Sequence, residues 1–122
     1  GLRLKPYQDT VLKLTIGVGR NLDDIGITES EADVLLGNDV ARVCIELDRS
    51  LPWWTAMTEA RQRVFANMCF NLGLSRFMAF TKMLHAANED DYKTAAAEML
   101  DSEWASQVGD RATRLATMME EG

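Results

Sequence analysis

The fold is decided by one long segment, Thr28 to Ser50, which reads TESEADVLLGNDVARVCIELDRS. It opens on a capping box, in which the Thr28 hydroxyl can accept a hydrogen bond from the Glu31 amide while the Glu31 side chain reaches back to Thr28. Apolar side chains then recur at helical spacing and predict a helix of about 20 residues. The inward face of this helix is expected to comprise Ala32, Leu35, Leu36, Val40, Val43, Cys44 and Leu47.

The chain before this helix has the pattern of a short β ribbon. The segment Leu12 to Gly19, LKLTIGVG, carries β-branched residues and glycines, which predict a strand in a small hairpin. The next segment, RNLDDIG, predicts a loop that leads directly into the long helix. The region before Thr28 is therefore expected to be a small β-containing unit.

The chain after Pro52 predicts a series of shorter helices. The first begins near Thr58 and ends at Gly73, because glycine readily takes the left-handed conformation that follows a helix. Its inward face is expected to comprise Ala60, Val64, Phe65, Met68 and Leu72. Further helices are expected at Phe77 to Ala87, at Asp91 to Leu100, around Trp104, and from Asp110 as the N-cap, with Ala112, Leu115 and Met119 inward.

Together these elements predict an α+β fold that is predominantly helical. With 122 residues and 13.7 kDa, the chain is expected to form one domain with a sizeable core. Within that domain we expect a β-containing lobe at residues 1–27, a connecting helix at residues 28–50 and a helical lobe at residues 51–122.

Charge and hydropathy exclude several classes of function. The net charge of −6 argues against binding to nucleic-acid phosphates or to an anionic membrane surface, both of which require clustered Lys and Arg. No apolar run approaches the roughly 18 residues that span a bilayer. The first residues, Gly1 to Tyr7, show no apolar core of a signal peptide.

Cysteine and histidine are too sparse for most catalytic clusters. Cys44 and Cys69 lie in apolar helical contexts and are interpreted as buried free thiols, with a disulfide or a metal site as the alternative. His85 is the single histidine, which argues against His-based metal sites and Ser-His-Asp catalysis. Any acid–base chemistry is therefore expected to come from carboxylates, and no metal site is expected.

One carboxylate precedes a hydroxyl in the predicted ribbon, in the pattern Asp9-x5-Thr15. A carboxylate base and a hydroxyl that orient the same water form one half of an inverting glycosidase site. The alternative is purely local, because an Asp in this setting commonly forms a turn with its own backbone.

The same residues belong to a longer pattern. The segments GLRLKPYQDTVLKLTIGVGRNL, GITESEADVLLGNDV, ARQRVFANMCFNLG and EMLDSEWASQVGDRATRLATMM resemble, in order, the phage-type lysozymes of glycoside hydrolase family 24. The resemblance covers nearly the whole chain. It implies a lysozyme-like two-lobe fold with a small N-terminal β ribbon, a long connecting helix and a helical C-terminal lobe.

The resemblance also implies an activity, a substrate and a place of action. A protein of this family is expected to cleave the β-1,4 bond between N-acetylmuramic acid and N-acetylglucosamine in peptidoglycan glycan strands, without a cofactor. For the oligomeric state, a monomer is the default expectation. It would be made in the cytoplasm of a host bacterium and act on the cell wall, in the periplasm.

The family pattern Glu-x8-Asp-x5-Thr places the catalytic Asp and Thr on Asp9 and Thr15. The Glu, which is the general acid, is expected immediately before Gly1. General acid catalysis commonly contributes about 10²–10⁴-fold to rate, so the chain as printed is expected to be nearly inactive.

Further residues match the family pattern one at a time. Phe70 and Asn71, in NMCFNLG, match positions that contact the glycan, although an aromatic residue at helical spacing is as often part of the core. Arg111, in GDRATR, matches the arginine that holds the catalytic Glu, with a surface arginine as the alternative. Arg20 and Asp39 match two positions that form an ion pair in relatives.

One departure from the family pattern lies beside Asp9. Leu12 stands where the family usually has Gly; if this position requires a positive φ, a Leu costs strain of order 1–3 kcal/mol or forces another turn. This departure favours the main alternative function, a lysozyme-fold module without catalysis that binds the wall or a partner, or that serves as an engineered scaffold. An unrelated helical regulator of protein partners is a third, more remote alternative.

Overall fold

The structure, a computed structural model, describes residues 1–122 and contains three strands, one 3₁₀ turn and seven α-helices. The strands are β1 (Arg3–Gln8), β2 (Leu14–Gly17) and β3 (Arg20–Asn21). The 3₁₀ turn is Pro52–Ala56. The helices are α1 (Glu29–Ser50), α2 (Glu59–Leu72), α3 (Leu74–Met78), α4 (Thr81–Asn88), α5 (Tyr92–Leu100), α6 (Glu103–Val108) and α7 (Asp110–Glu121). The predominantly helical α+β fold is confirmed.

The three strands form one antiparallel sheet in the order β1-β2-β3. Thr15 lies in the central strand, opposite Tyr7 on one side and Asn21 on the other. The strand expected over Leu12 to Gly19 is shorter at both ends. Leu12, at φ 65°, belongs to the turn after β1, and positive φ angles at Gly17 and Gly19 turn the chain towards β3.

The capping box at the start of α1 is confirmed. The Glu31 amide donates to Thr28 Oγ1 at 3.1 Å, and the Thr28 amide donates to Glu31 Oε1 at 2.9 Å. Of the seven residues expected on the inward face, only two are buried. Val43 and Leu47 are buried, whereas the earlier members Leu35, Leu36 and Val40 are exposed.

The core is helical and apolar. Every buried hydrophobic side chain lies between Val43 and Met119, and Phe65 contacts the edges of Phe77 and Trp53 at ring-centre distances of 5.2 and 5.8 Å. The start and end of α2 are as predicted, since Thr58 Oγ1 accepts from the Arg61 amide and Gly73 follows the helix at φ 82°. The expected core residues of α7 are also buried.

Two of the predicted helices differ from the observed ones. The segment expected as one helix, Phe77 to Ala87, contains a break at Phe80, whose ψ of 56° interrupts the helical backbone between α3 and α4. The break lets both Phe77 and Met83 face the core. Asp110 is the first residue of α7 rather than its N-cap; Gly109, at φ 61°, holds the cap position.

The chain divides into two compact units, Gly1–Asn38 and Asp39–Gly122. The first contains the sheet and the start of α1, and the second contains the helical core. None of the helices has the length and apolar composition needed to cross a bilayer.

Both cysteines are free thiols, as predicted, although only Cys69 is buried and Cys44 is half-buried. Burial raises the pKa of the Cys69 thiol to about 11, with a smaller contribution from the nearby Glu46 carboxylate.

Candidate active site

Asp9 lies in the turn between β1 and β2, and its carboxylate organises that turn. Oδ1 accepts hydrogen bonds from the backbone amides of Val11 and Lys13, both at 2.9 Å. The local interpretation of Asp9 as a turn former is therefore confirmed. Only one carboxylate oxygen is used in this way, and Oδ2 receives no hydrogen bond from the protein.

Thr15 is the one buried polar residue of the chain, with 3% of its surface exposed. Its hydroxyl donates to the carbonyl oxygen of Lys13 at 2.9 Å. The hydroxyl hydrogen is thus committed, and the oxygen can interact with anything else only as an acceptor.

Asp9 and Thr15 are both bonded to the backbone of Lys13. The Lys13 amide donates to Asp9 Oδ1, and the Lys13 carbonyl accepts from the Asp9 amide at 2.9 Å as well as from the Thr15 hydroxyl. Asp9 and Thr15 are therefore both fixed by one backbone residue that lies between them in the sequence.

A second turn holds the other side of this segment. Asp23 Oδ2 accepts from the Leu14 amide at 2.6 Å, and the Leu22 amide donates to the Leu14 carbonyl at 2.7 Å. The neighbouring Asp24 binds the Lys13 ammonium at 3.2 Å. The roles of Asp23 and Asp24 were not predicted from the sequence, although Asp is typical of turns that bond to nearby backbone.

Leu12 has a φ angle of 65°, in the left-handed region that favours glycine. Its side chain is 72% exposed, so no packing offsets this conformation. Its amide donates to the Asp9 carbonyl at 3.0 Å, which places the strained residue within the Asp9 turn. Leu12 therefore meets the condition, a positive φ, under which strain was expected at this position.

The prediction of an ion pair between Arg20 and Asp39 is wrong. Arg20 instead binds both carboxylate oxygens of Glu31, at 2.9 and 2.8 Å, and Asp39 binds Arg42 at 2.9 Å. The fork of a guanidinium matches a carboxylate that the capping box already holds in place, which favours Glu31. The Arg20 hydrogen bonds, followed by that of the Thr28 amide, lower the pKa of Glu31 to about 2.

The residues predicted to contact glycan lie at the end of α2. The Phe70 side chain is 48% exposed, so it is not part of the core. Asn71 Oδ1 accepts a hydrogen bond at 3.1 Å from the indole nitrogen of Trp104, a buried residue of α6. Its amide nitrogen has no partner in the protein. The Asn71–Trp104 contact was not anticipated from the sequence.

Arg111 lies in the first turn of α7 with its side chain exposed. It forms no side-chain hydrogen bond or salt bridge with any residue of the chain. Its role as a holder of the catalytic Glu therefore stays a prediction.

These local geometries occur in a chain whose residues 1–119 match the sequence model of the phage lysozyme family. The chain belongs to the phage lysozyme family. The resemblance described above is thereby confirmed, together with the lysozyme-like fold. Membership of this family supports a peptidoglycan hydrolase, of the glycoside hydrolase class.

Individual relatives agree with this assignment. An endolysin of Acyrthosiphon pisum secondary endosymbiont phage 1 is 31% identical over 115 residues, which cover 91% of this lysozyme-family chain and 76% of the endolysin. A probable T4-type lysozyme of Dictyostelium discoideum is 28% identical over 151 residues, with 100% and 89% coverage.

A third relative has a different architecture. The pre-baseplate central spike protein Gp5 of Enterobacteria phage T4 is 29% identical over 150 residues, which cover all of this chain but only 26% of the spike protein. A chain of this family can therefore correspond to one part of a larger protein.

Proposed function

We propose that the protein hydrolyses the β-1,4 bond between N-acetylmuramic acid and N-acetylglucosamine in peptidoglycan, with Asp9 and Thr15 as the residues that position and activate the attacking water. The observation that carries this proposal is the shared attachment of both side chains to the Lys13 backbone. Two groups held by one residue keep a constant relation to each other, which a water-positioning pair requires.

The direction of each hydrogen bond supports this assignment. The Thr15 hydrogen is used by the Lys13 carbonyl, and an ionised Asp9 can only accept, so both side chains offer lone pairs. A water that donates one hydrogen to each would direct its own lone pair away from them, towards an anomeric carbon. As the bond to that carbon forms, Asp9 takes the proton as general base.

The second half of the reaction is the delivery of a proton to the leaving oxygen. We assign it to the glutamate that the family pattern places immediately before Gly1, with Arg111 as the residue that orients it. An acid and a base on opposite faces of the sugar would invert the anomeric configuration. Without that glutamate the residues described here would supply only the water-activating half.

The glycan strand is proposed to contact Phe70 and Asn71. The exposed Phe70 ring offers an apolar face to a sugar ring, and the Asn71 amide nitrogen can donate to a sugar oxygen while its carbonyl oxygen holds Trp104. We further propose that the protein is a single domain that acts as a monomer on the cell wall, reached from the host cytoplasm, and that it binds neither nucleic acid nor membrane.

The test measures the loss of turbidity of a peptidoglycan suspension by the chain preceded by a glutamate. Asp9→Asn keeps the shape of the side chain and removes the base, so activity is expected to fall about 10²–10⁴-fold. Thr15→Val removes the hydroxyl and is expected to lower activity in the same direction. Asp33→Asn, an exposed acid of α1 without side-chain partners, is the control.

Two outcomes would overturn the proposal. One is the absence of hydrolysis by the parent protein, and the other is full activity of Asp9→Asn. The printed chain, assayed beside the extended one, tests whether the upstream glutamate is the acid.

A module without catalysis is the second candidate, and one observation favours it. Leu12 adopts a strained left-handed conformation within the turn that carries Asp9. The test is whether the protein with the upstream glutamate, and its Leu12→Gly variant, sediment with peptidoglycan and hydrolyse it. Sedimentation without hydrolysis in both would favour the binding module over the enzyme.

A further inference from the structure

We infer that Asp23 is a positioning residue for this hydrolysis. Its carboxylate fixes the peptide group between Lys13 and Leu14, and that peptide in turn fixes the direction of the Thr15 hydroxyl. The inference rests on the proposed function and adds to it a residue outside the family pattern of Glu, Asp and Thr.

One planar peptide group, between Lys13 and Leu14, links Asp23 to Thr15. Its carbonyl oxygen, from Lys13, accepts the Thr15 hydroxyl at 2.9 Å and the Asp9 amide at 2.9 Å. Its N–H group, from Leu14, donates to Asp23 Oδ2 at 2.6 Å. Since a peptide group is planar and rigid, an acceptor that holds the N–H also holds the orientation of the carbonyl.

The bond to Asp23 is a strong one for its type. A carboxylate that accepts from a backbone amide forms a charge-assisted hydrogen bond, and the 2.6 Å separation lies at the short end of such contacts. Hydrogen bonds in a chain polarise one another, so this bond makes the Lys13 carbonyl a better acceptor for Thr15. The effect on Thr15 is therefore both geometric and electronic.

The topology of the sheet explains why a side chain is used here. The strand β3 contains only Arg20 and Asn21, and the Leu22 amide still reaches the Leu14 carbonyl before the chain turns away. The Asp23 carboxylate then accepts from the Leu14 amide, in place of the backbone carbonyl that a longer β3 would provide. The turn that follows β3 is therefore hydrogen-bonded directly to β2, the strand that carries Thr15.

The neighbouring residue offers a matched control. Asp24 lies in the same turn and carries the same charge, but it binds the side chains of Lys13 and Asn21 rather than the peptide. Asp24→Ala therefore removes one negative charge and one carboxylate from the turn without removing the contact with the Leu14 amide.

The experiment measures kcat and KM on soluble peptidoglycan fragments for the parent, Asp23→Ala, Asp23→Asn and Asp24→Ala, each preceded by the upstream glutamate. We expect Asp23→Ala to lower kcat about 10- to 100-fold, the order of loss caused by a misplaced reacting group. KM should stay within about twofold of the parent value, because Asp23 contacts neither of the residues proposed to bind the glycan. Asp23→Asn keeps an acceptor oxygen and should recover most of kcat, and Asp24→Ala should match the parent.

A second readout does not depend on activity. The Leu14 amide proton should resonate downfield in the parent, lose this shift in Asp23→Ala and keep part of it in Asp23→Asn. If Asp23→Ala does not fold, Asp23→Glu decides the matter, because it retains the charge but moves the carboxylate by one methylene. A lowered kcat in that variant supports the inference, and an unchanged kcat overturns it.

The inference is also overturned if Asp23→Ala behaves like Asp24→Ala, or if Asp23→Asn recovers nothing. Failure of the proposed function gives a different pattern. In that case Asp9→Asn is fully active or the parent is inactive, and the role inferred for Asp23 is lost together with the proposed function. If Asp9→Asn is inactive while Asp23→Ala is fully active, only the role of Asp23 is lost.

Discussion

The two units of the chain are stabilised in different ways. The unit Asp39–Gly122 buries twenty-two hydrophobic side chains, whereas Gly1–Asn38 buries a single side chain, Thr15, which is polar. Of the fifteen large hydrophobic residues that are exposed, eleven lie in the first unit. The helical unit therefore has a core of the ordinary kind, and the sheet-bearing unit does not.

What the first unit has instead is a set of carboxylates bound to backbone amides. Asp9 holds the turn after β1, Asp23 holds β2 from the opposite side, and Glu31 holds the start of α1. Such bonds are directional, so they position accurately the groups that they join. The proposed catalytic pair lies in the unit that is organised by hydrogen bonds.

The largest effect should come from a truncation in the apolar core. Phe65→Ala removes a fully buried ring and is expected to lower the free energy of unfolding by about 3–5 kcal/mol. Ile25→Ala, at a side chain that is 70% exposed in the first unit, should change it by less than about 0.5 kcal/mol. Urea unfolding of both variants measures these two free-energy changes. Similar losses of unfolding free energy in the two variants would contradict the difference between the two units.

A smaller loss is expected from the hydrogen bond between Asn71 and Trp104. Asn71→Ala leaves the buried indole N–H of Trp104 without its acceptor, at a cost of about 1–3 kcal/mol in the free energy of unfolding. Asn71→Asp retains an acceptor oxygen and should lose less. Equal stability of the two variants would mean that this polar contact adds nothing to the apolar core around it.

A gain is expected from Leu12→Gly in the first unit. Relief of the left-handed backbone should raise the free energy of unfolding by about 1 kcal/mol. Leu12→Ala shortens the exposed side chain without relieving the backbone, so thermal unfolding of this variant should show no such gain. A gain of the same size from Leu12→Ala would assign the effect to the side chain instead.

The smallest effect should be the dependence of stability on Glu31 ionisation, since the pair with Arg20 is partly exposed. The pKa of Glu31 is about 2 in the folded protein, against 4.5 for a free side chain, so the folded state binds the proton less readily. Its contribution is therefore complete above pH 4.5 and is lost as the pH falls towards about 2.

Glu31→Gln removes this titration and serves as the comparison. The difference in unfolding free energy between parent and Glu31→Gln should shrink as the pH falls through that window. A difference that stays constant from pH 5 to pH 2 would contradict the assignment of the lowered pKa to Glu31.

Local signals predicted the elements well where one residue type decides the outcome. The Thr28–Glu31 capping box, the Thr58 N-cap and Gly73 after α2 all follow from hydrogen bonds within one turn. The break at Phe80 could not be predicted in this way. It allows Phe77, before the break, and Met83, after it, both to be buried in the core, and this depends on contacts beyond one turn. The partner of Arg20 was missed for a similar reason, since two carboxylates were available and the backbone path selects between them.

The sequence by itself determined the family, the α+β class and the presence of a carboxylate followed by a hydroxyl in the ribbon. These depend on residue order and on contacts over a few positions, which a linear pattern records. Only the tertiary structure decided that Asp9 and Thr15 share the Lys13 backbone, that Asp23 reaches the Leu14 amide from the next turn, and that the first half of α1 leaves its apolar face exposed. Each of these depends on how segments meet after the chain has turned, and residue order alone does not specify that.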